Sequence, residues 1–178
     1  ASVNLLPARA RRWVRHVPIV AGLQRFLVSR FLAGERFVHT INAGPARGLH
    51  LEVTLPQDKA FWAGTFESEF AAALARGVRP GDICYDIGGH RGYMTGVMAL
   101  AGASRVMVFE PLPDNIVALQ RLAQLNPGLA FHVEPAAVGR SNGQAQFKVM
   151  SDQSMGKLAA SPFQAGATAT RELIVQVR

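Results

Sequence analysis

The sequence predicts an α/β protein in which a parallel sheet is buried by helices on both faces and preceded by an N-terminal helix and hairpin. Three observations predict it. From Gly81 the apolar pattern alternates strand, helix, strand, helix, strand, a rhythm that right-handed crossovers fold into a parallel sheet. The first of those strands runs into a glycine-rich turn, Gly88-Gly89-His90-Arg91-Gly92, that opens the next helix. An acid, Glu110, ends the second strand, 24 residues after Asp86 near the end of the first. With 178 residues, 49% of them apolar and 17% charged, the chain is long and apolar enough to bury a core without a disulfide or metal staple.

The elements follow in order. From about Ala8 to Gly34, Val17, Val20, Leu23, Leu27 and Phe31 share one face of a basic amphipathic helix, and Pro18 suits its first turn. Phe37 to Ile41 and Leu49 to Leu55 alternate apolar and polar around Asn42-Ala43-Gly44-Pro45, which reads as a hairpin. A helix is expected from about Phe66 to Arg76, with Thr65 at its start, Glu67 and Glu69 in its first turn and Gly77 after it. Then come the strand Ile83 to Ile87, the helix Tyr93 to Ala101, the strand Arg105 to Phe109, the helix Pro113 to Leu125 and the strand Ala130 to Val133. Ala145 to Met150 and Leu173 to Val177 are strand-like, and the Ser-, Ala- and Gly-rich stretch from 151 to 170 is expected to be weakly structured. The organisation expected is an extension over 1–56 and a ligand-binding part over 57–178.

The net charge of +7 invites a nucleic-acid or membrane partner, but its distribution argues otherwise. Residues 1–50 hold eight Arg and one acid, whereas 51–178 hold eleven basic and eleven acidic residues. The body is therefore neutral. A solvated Arg face on a packed helix is the plainer reading of the N-terminal segment; contact with a membrane surface or with RNA is the functional one. The longest uncharged runs there are about ten residues, half of what a spanning helix needs. The lone Cys84 suits a reducing compartment, so a cytoplasmic location is expected, and a homo-oligomer is compatible with the pattern.

A strand that ends in a glycine-rich turn lets backbone approach a ligand closely, and an acid ending the neighbouring strand reaches the hydroxyls of a ribose. The pattern predicts a nucleoside-cofactor site. A dinucleotide fingerprint fits poorly, because aligning its last two glycines on Gly89 and Gly92 puts Ile87 where the first belongs. Asp86 beside the turn suits a cationic cofactor, and S-adenosylmethionine carries both an ammonium and a sulfonium. Two carboxylates at buried strand ends are costly unless paired, which argues for a ligand that satisfies both; the plainer role of each is to cap the next helix. The five His are not spaced as metal ligands, so no metal is expected. Cys84, Met94, Met98 and Met107 read as core.

The ordered segments Gly64-Thr65-Phe66-Glu67, Pro80-Gly81-Asp82, Asp86 through Tyr93, Phe109-Glu110-Pro111-Leu112-Pro113-Asp114-Asn115 and Ala137-Val138-Gly139 resemble the FkbM family of methyltransferases over about residues 60–160. The resemblance implies a Rossmann-like class I methyltransferase fold, S-adenosylmethionine as cofactor and methyl transfer to a hydroxyl of a small molecule or sugar. It also implies that Asp86, Gly88, Gly89, His90, Gly92 and Tyr93 cradle the methionine part. Glu110 would hold the ribose, Pro111, Ala136 and Ala137 would border the adenine, and Glu67 would close the site. His90 stands where the family has Asn, and is the candidate general base; a loop histidine packing beside the cofactor is its plainer role. Arg140 stands where an acid is common. The family's fold continues with a strand carrying Asp and Glu-Gly that does not occur before Arg178, so the C-terminal strands are expected to be missing; the chain reads as a fragment rather than a degenerate relative, because the cofactor residues of the preserved half show no decay. Two rival functions are a noncatalytic nucleotide-binding or interaction module and an RNA methyltransferase whose Arg-rich segment docks phosphates.

Overall fold

The computed structural model describes residues 34–150, 157–159 and 169–178, so the expected N-terminal helix and most of the stretch from 151 to 170 lie outside the described residues. The described chain opens with an antiparallel hairpin, β1 (Arg36–Thr40) and β2 (His50–Thr54), in which Val38 faces Glu52. A short helix that the apolar pattern does not announce, α1 (Lys59–Ala63), follows it. Five residues span too few turns to show a periodicity. Helix α2 (Ser68–Gly77) starts two residues later than expected, with Glu67 rather than Thr65 at its N-cap.

Next come β3 (Ile83–Ile87), α3 (Tyr93–Leu100), β4 (Arg105–Phe109), α4 (Pro113–Leu125) and β5 (Phe131–Glu134). The three strands form a parallel sheet in the order β3-β4-β5, with Asp86 opposite Val108 and Val108 opposite Val133. Pro113 fixes the start of α4, where its missing N–H costs nothing. Asn126 ends that helix by donating to Leu122 O and His50 O at 2.8 Å and accepting the His50 N–H at 2.9 Å, which fastens the hairpin to α4.

Two cores hold these layers together. Ile41, Leu49, Leu51 and Val53 of the hairpin region pack with Phe61, Ala71, Tyr93, Val97 and Leu122, so the hairpin and the helices share one apolar interior across the boundary expected at residue 56. Beneath it, Met98, Val106, Val108 and Leu119 join helix to sheet, with Cys84 and Val133 packed against them. Gly96 lets the hairpin come close to α3: a Cβ there would lie 2.5 Å from Leu49 Cδ2.

Among the described residues the helices lie on one face of the parallel sheet. Strand residues alternate between faces, and those sharing the side of Cys84 and Asp86 meet the helices. On the other side Ile83, Tyr85 and Ile87 are 61–65% exposed, and no described helix covers them. β3 also pairs only with β4, so its outer edge has no partner strand among the described residues. After β5 the chain turns instead into an antiparallel sheet of β6 (Gly143–Val149), β7 (Lys157–Leu158) and β8 (Arg171–Val177), in the order β7-β6-β8. A parallel bridge from Ala137 to Val177 attaches this sheet to the segment after β5.

Candidate cofactor crevice

The candidate site lies at the carboxyl ends of β3 and β4, where a parallel sheet presents the turns that open its helices. The Gly88 N–H continues the ladder to Phe109 O at 2.8 Å, and the Gly92 N–H closes the turn on Gly89 O at 2.8 Å. The glycines are needed for different reasons. Gly88 has φ +86 and open space where a Cβ would stand, so it requires a left-handed backbone and leaves its surface bare. At Gly89 a Cβ would fall 2.2 Å from Val108 Cγ1, so that glycine lets the turn sit down on β4. His90, which follows Gly89, is held at φ +49, a conformation that Asn, Asp and His tolerate better than most.

Both acids have internal partners. Asp86 Oδ2 accepts the Thr95 hydroxyl at 2.5 Å, and the Thr95 N–H in the first turn of α3 also donates to the carboxylate. Burial pushes the Asp86 carboxyl above its ordinary range, and the two Thr95 bonds pull it back only in part. Glu110 is 3% exposed; its Oε1 accepts the Leu112 N–H at 2.9 Å and its Oε2 the His90 N–H at 2.8 Å, with the Asn115 side chain as a further partner. Burial raises its pKa first, these bonds lower it, and the charge of Asp86 raises it again. The inference that two buried carboxylates require a ligand therefore does not hold, because the protein's own donors satisfy them. A carboxylate offers about four acceptor positions, so Glu110 keeps roughly one for a ribose hydroxyl unless it releases an internal donor.

The other expected residues divide. Pro111 is half-buried beside Glu110. Tyr93 is packed in the core: it is 3% exposed, with its ring 5.4 Å from Phe61 and 5.5 Å from Phe66, and its buried hydroxyl has no hydrogen-bond partner among the described residues. Ala136 and Ala137 are 0% and 7% exposed; the Ala137 N–H donates to Gln176 O of β8, and the Ala137 C=O accepts the Arg178 N–H just after it. Glu67 is exposed at the start of α2 at φ 41, and no hydrogen bond or ion pair among the described residues joins its side chain to the crevice. Nothing in the sequence pattern marks Thr95 and Asn115, the partners of the two acids, although each lies in the first turn of a helix that the apolar pattern predicts.

Arg91 reaches from the turn to the segment that follows the hairpin. Its guanidinium donates to Asp58 Oδ1 at 2.5 Å and Glu52 O at 2.7 Å and lies 5.5 Å over the Phe61 ring. A cavity of about 510 Å³ opens beside it between the hairpin and α4, lined among others by Arg36, Glu52, Asp58, Asn115 and Arg121. No group of three or more His, Cys, Asp or Glu among the described residues is arranged to hold a metal, and no described helix is long and apolar enough to cross a membrane.

No protein-family model matches the chain, and no curated protein matches it.

Proposed function

We propose that the chain binds S-adenosylmethionine at the ends of β3 and β4 in the manner of an FkbM-like, Rossmann-type methyltransferase acting on a hydroxyl of a small molecule or sugar. The observation that carries this reading is the junction of the glycine turn with Glu110, through the 2.8 Å bond from His90 N–H to Oε2, at the ends of two adjacent parallel strands. The residues fit the cofactor in part. Gly88 leaves the turn bare for a close approach, and Asp86 and Glu110 supply negative charge to a cationic nucleoside. S-adenosylmethionine, when bound, supplies an electrophilic methyl group on sulfur. Glu110 would orient the ribose with its remaining acceptor position. Binding would serve mainly to set methyl and acceptor in line, and His90, next to the turn, is the candidate to take the hydroxyl proton.

A second reading, a noncatalytic module, draws support from one observation: Asp86 and Glu110 are both satisfied without a ligand. Calorimetric titration of the folded chain with S-adenosylmethionine and with NAD separates the two. Binding of the first alone supports the methyltransferase reading; tight NAD binding replaces it with a dinucleotide site, and no binding of either leaves the noncatalytic reading.

A further inference from the structure

The glycine turn is tied down at two adjacent residues, from two different parts of the chain. The His90 backbone is held by Glu110 at the end of β4, and the Arg91 side chain is held by Asp58, Glu52 O and the face of Phe61. Asp58 is itself fixed: it is 6% exposed, and its second oxygen accepts the Thr54 N–H at 2.7 Å. The guanidinium thus meets a carboxylate, a carbonyl and a ring at once, a set of contacts that suits a planar fork and that a Lys ammonium cannot reproduce.

The turn needs such restraint. Three of its five residues, Gly88, His90 and Gly92, have φ between +49 and +86, and a glycine-rich segment loses more conformational freedom on ordering than any other. If the free protein already holds that shape, ligand binding does not bear the ordering cost. We propose that Arg91 and Asp58 are a positioning pair that holds the glycine turn in its binding shape, so that the hairpin side of the molecule sets the affinity of the strand-end crevice. The proposal rests on the cofactor-binding reading above, and it also has a readout that needs no ligand.

The test uses the whole chain with Arg91→Gln, Arg91→Lys and Asp58→Asn. Amide hydrogen exchange without ligand is followed at Gly88, His90 and Gly92, with Val106 and Val108 of β4 as the control for overall folding. The expected result is exchange about ten-fold faster at the turn in all three variants, unchanged exchange in β4, and affinity for S-adenosylmethionine about ten-fold weaker. Turn exchange and affinity equal to those of the wild type would overturn the proposal, whatever happens to thermal stability. Should the Gln or Asn change unfold the chain, Arg91→Lys decides alone by the same two readouts. A wild type that does not bind S-adenosylmethionine removes the cofactor reading, and the exchange rates still decide whether the pair holds the turn.

Discussion

The carboxylate of Glu110 accepts the backbone N–H of His90 at 2.8 Å, so the acid that ends one parallel strand fixes the turn that follows its neighbour. The same carboxylate holds the Leu112 N–H at the start of α4, and one buried side chain thereby joins strand, turn and helix. Replacing it leaves two buried N–H groups without an acceptor. Glu110→Ala is expected to lower stability by about 2–4 kcal/mol, measured by urea unfolding; a loss near zero would mean that solvent reaches those donors.

The pH dependence of stability has a definite sign. Folding raises the carboxyl pKa of Glu110 from 4.5 and of Asp86 from 3.8. The folded state therefore binds protons that the unfolded chain has released, and stability is fully present below those ordinary values and falls as pH rises through the raised ones. Glu110→Gln should flatten the decline in urea midpoint from pH 4 upward. An unchanged slope in that variant and in Asp86→Asn would place the titration elsewhere.

Gly88 and Gly89 should respond differently to Ala. At Gly89 the added carbon meets Val108 Cγ1 at 2.2 Å, and overpacking costs about 1–3 kcal/mol. At Gly88 the carbon meets nothing but stands on a left-handed backbone, a strain of about 1–2 kcal/mol. Thermal unfolding checks both, and of the two only Gly88→Ala should also block a ligand lying on the turn.

The bare side of β3 predicts poor solubility. Ile83, Tyr85 and Ile87 present apolar surface beside an edge that has no partner strand among the described residues, an arrangement prone to strand-to-strand association. Ile83→Lys with Ile87→Lys should reduce association measured by sedimentation velocity; association that persists unchanged would move the sticky surface away from β3.

Much of the fold was legible because the chain is well punctuated. Gly88 ends β3, Pro113 opens α4 and Asn126 closes it, and those boundaries agree with the apolar pattern. What escaped was set by distant packing. Tyr93 follows the glycine turn in sequence, yet Phe61 and Phe66, about thirty residues earlier, draw its ring into the core. Ala137 is tied to Val177 of β8, about forty residues later, which nothing local to it announces. The exposed face of β3 escaped for a related reason: the run Ile83 to Ile87 is apolar enough for burial on both sides, and nothing local says which side receives a helix. At the site itself the two acids were found from their spacing, but their partners Thr95 and Asn115 were not, since a hydrogen bond from a first helical turn leaves no periodic trace.

The most direct test of the central claim is backbone amide chemical-shift mapping of the whole chain during titration with S-adenosylmethionine. A cofactor seated at the ends of β3 and β4 produces saturable shifts concentrated at Gly88, Gly89, His90 and Glu110. Saturable shifts centred instead on Glu52 and Arg121, beside the cavity under the hairpin, or no shifts at all, would contradict the claim.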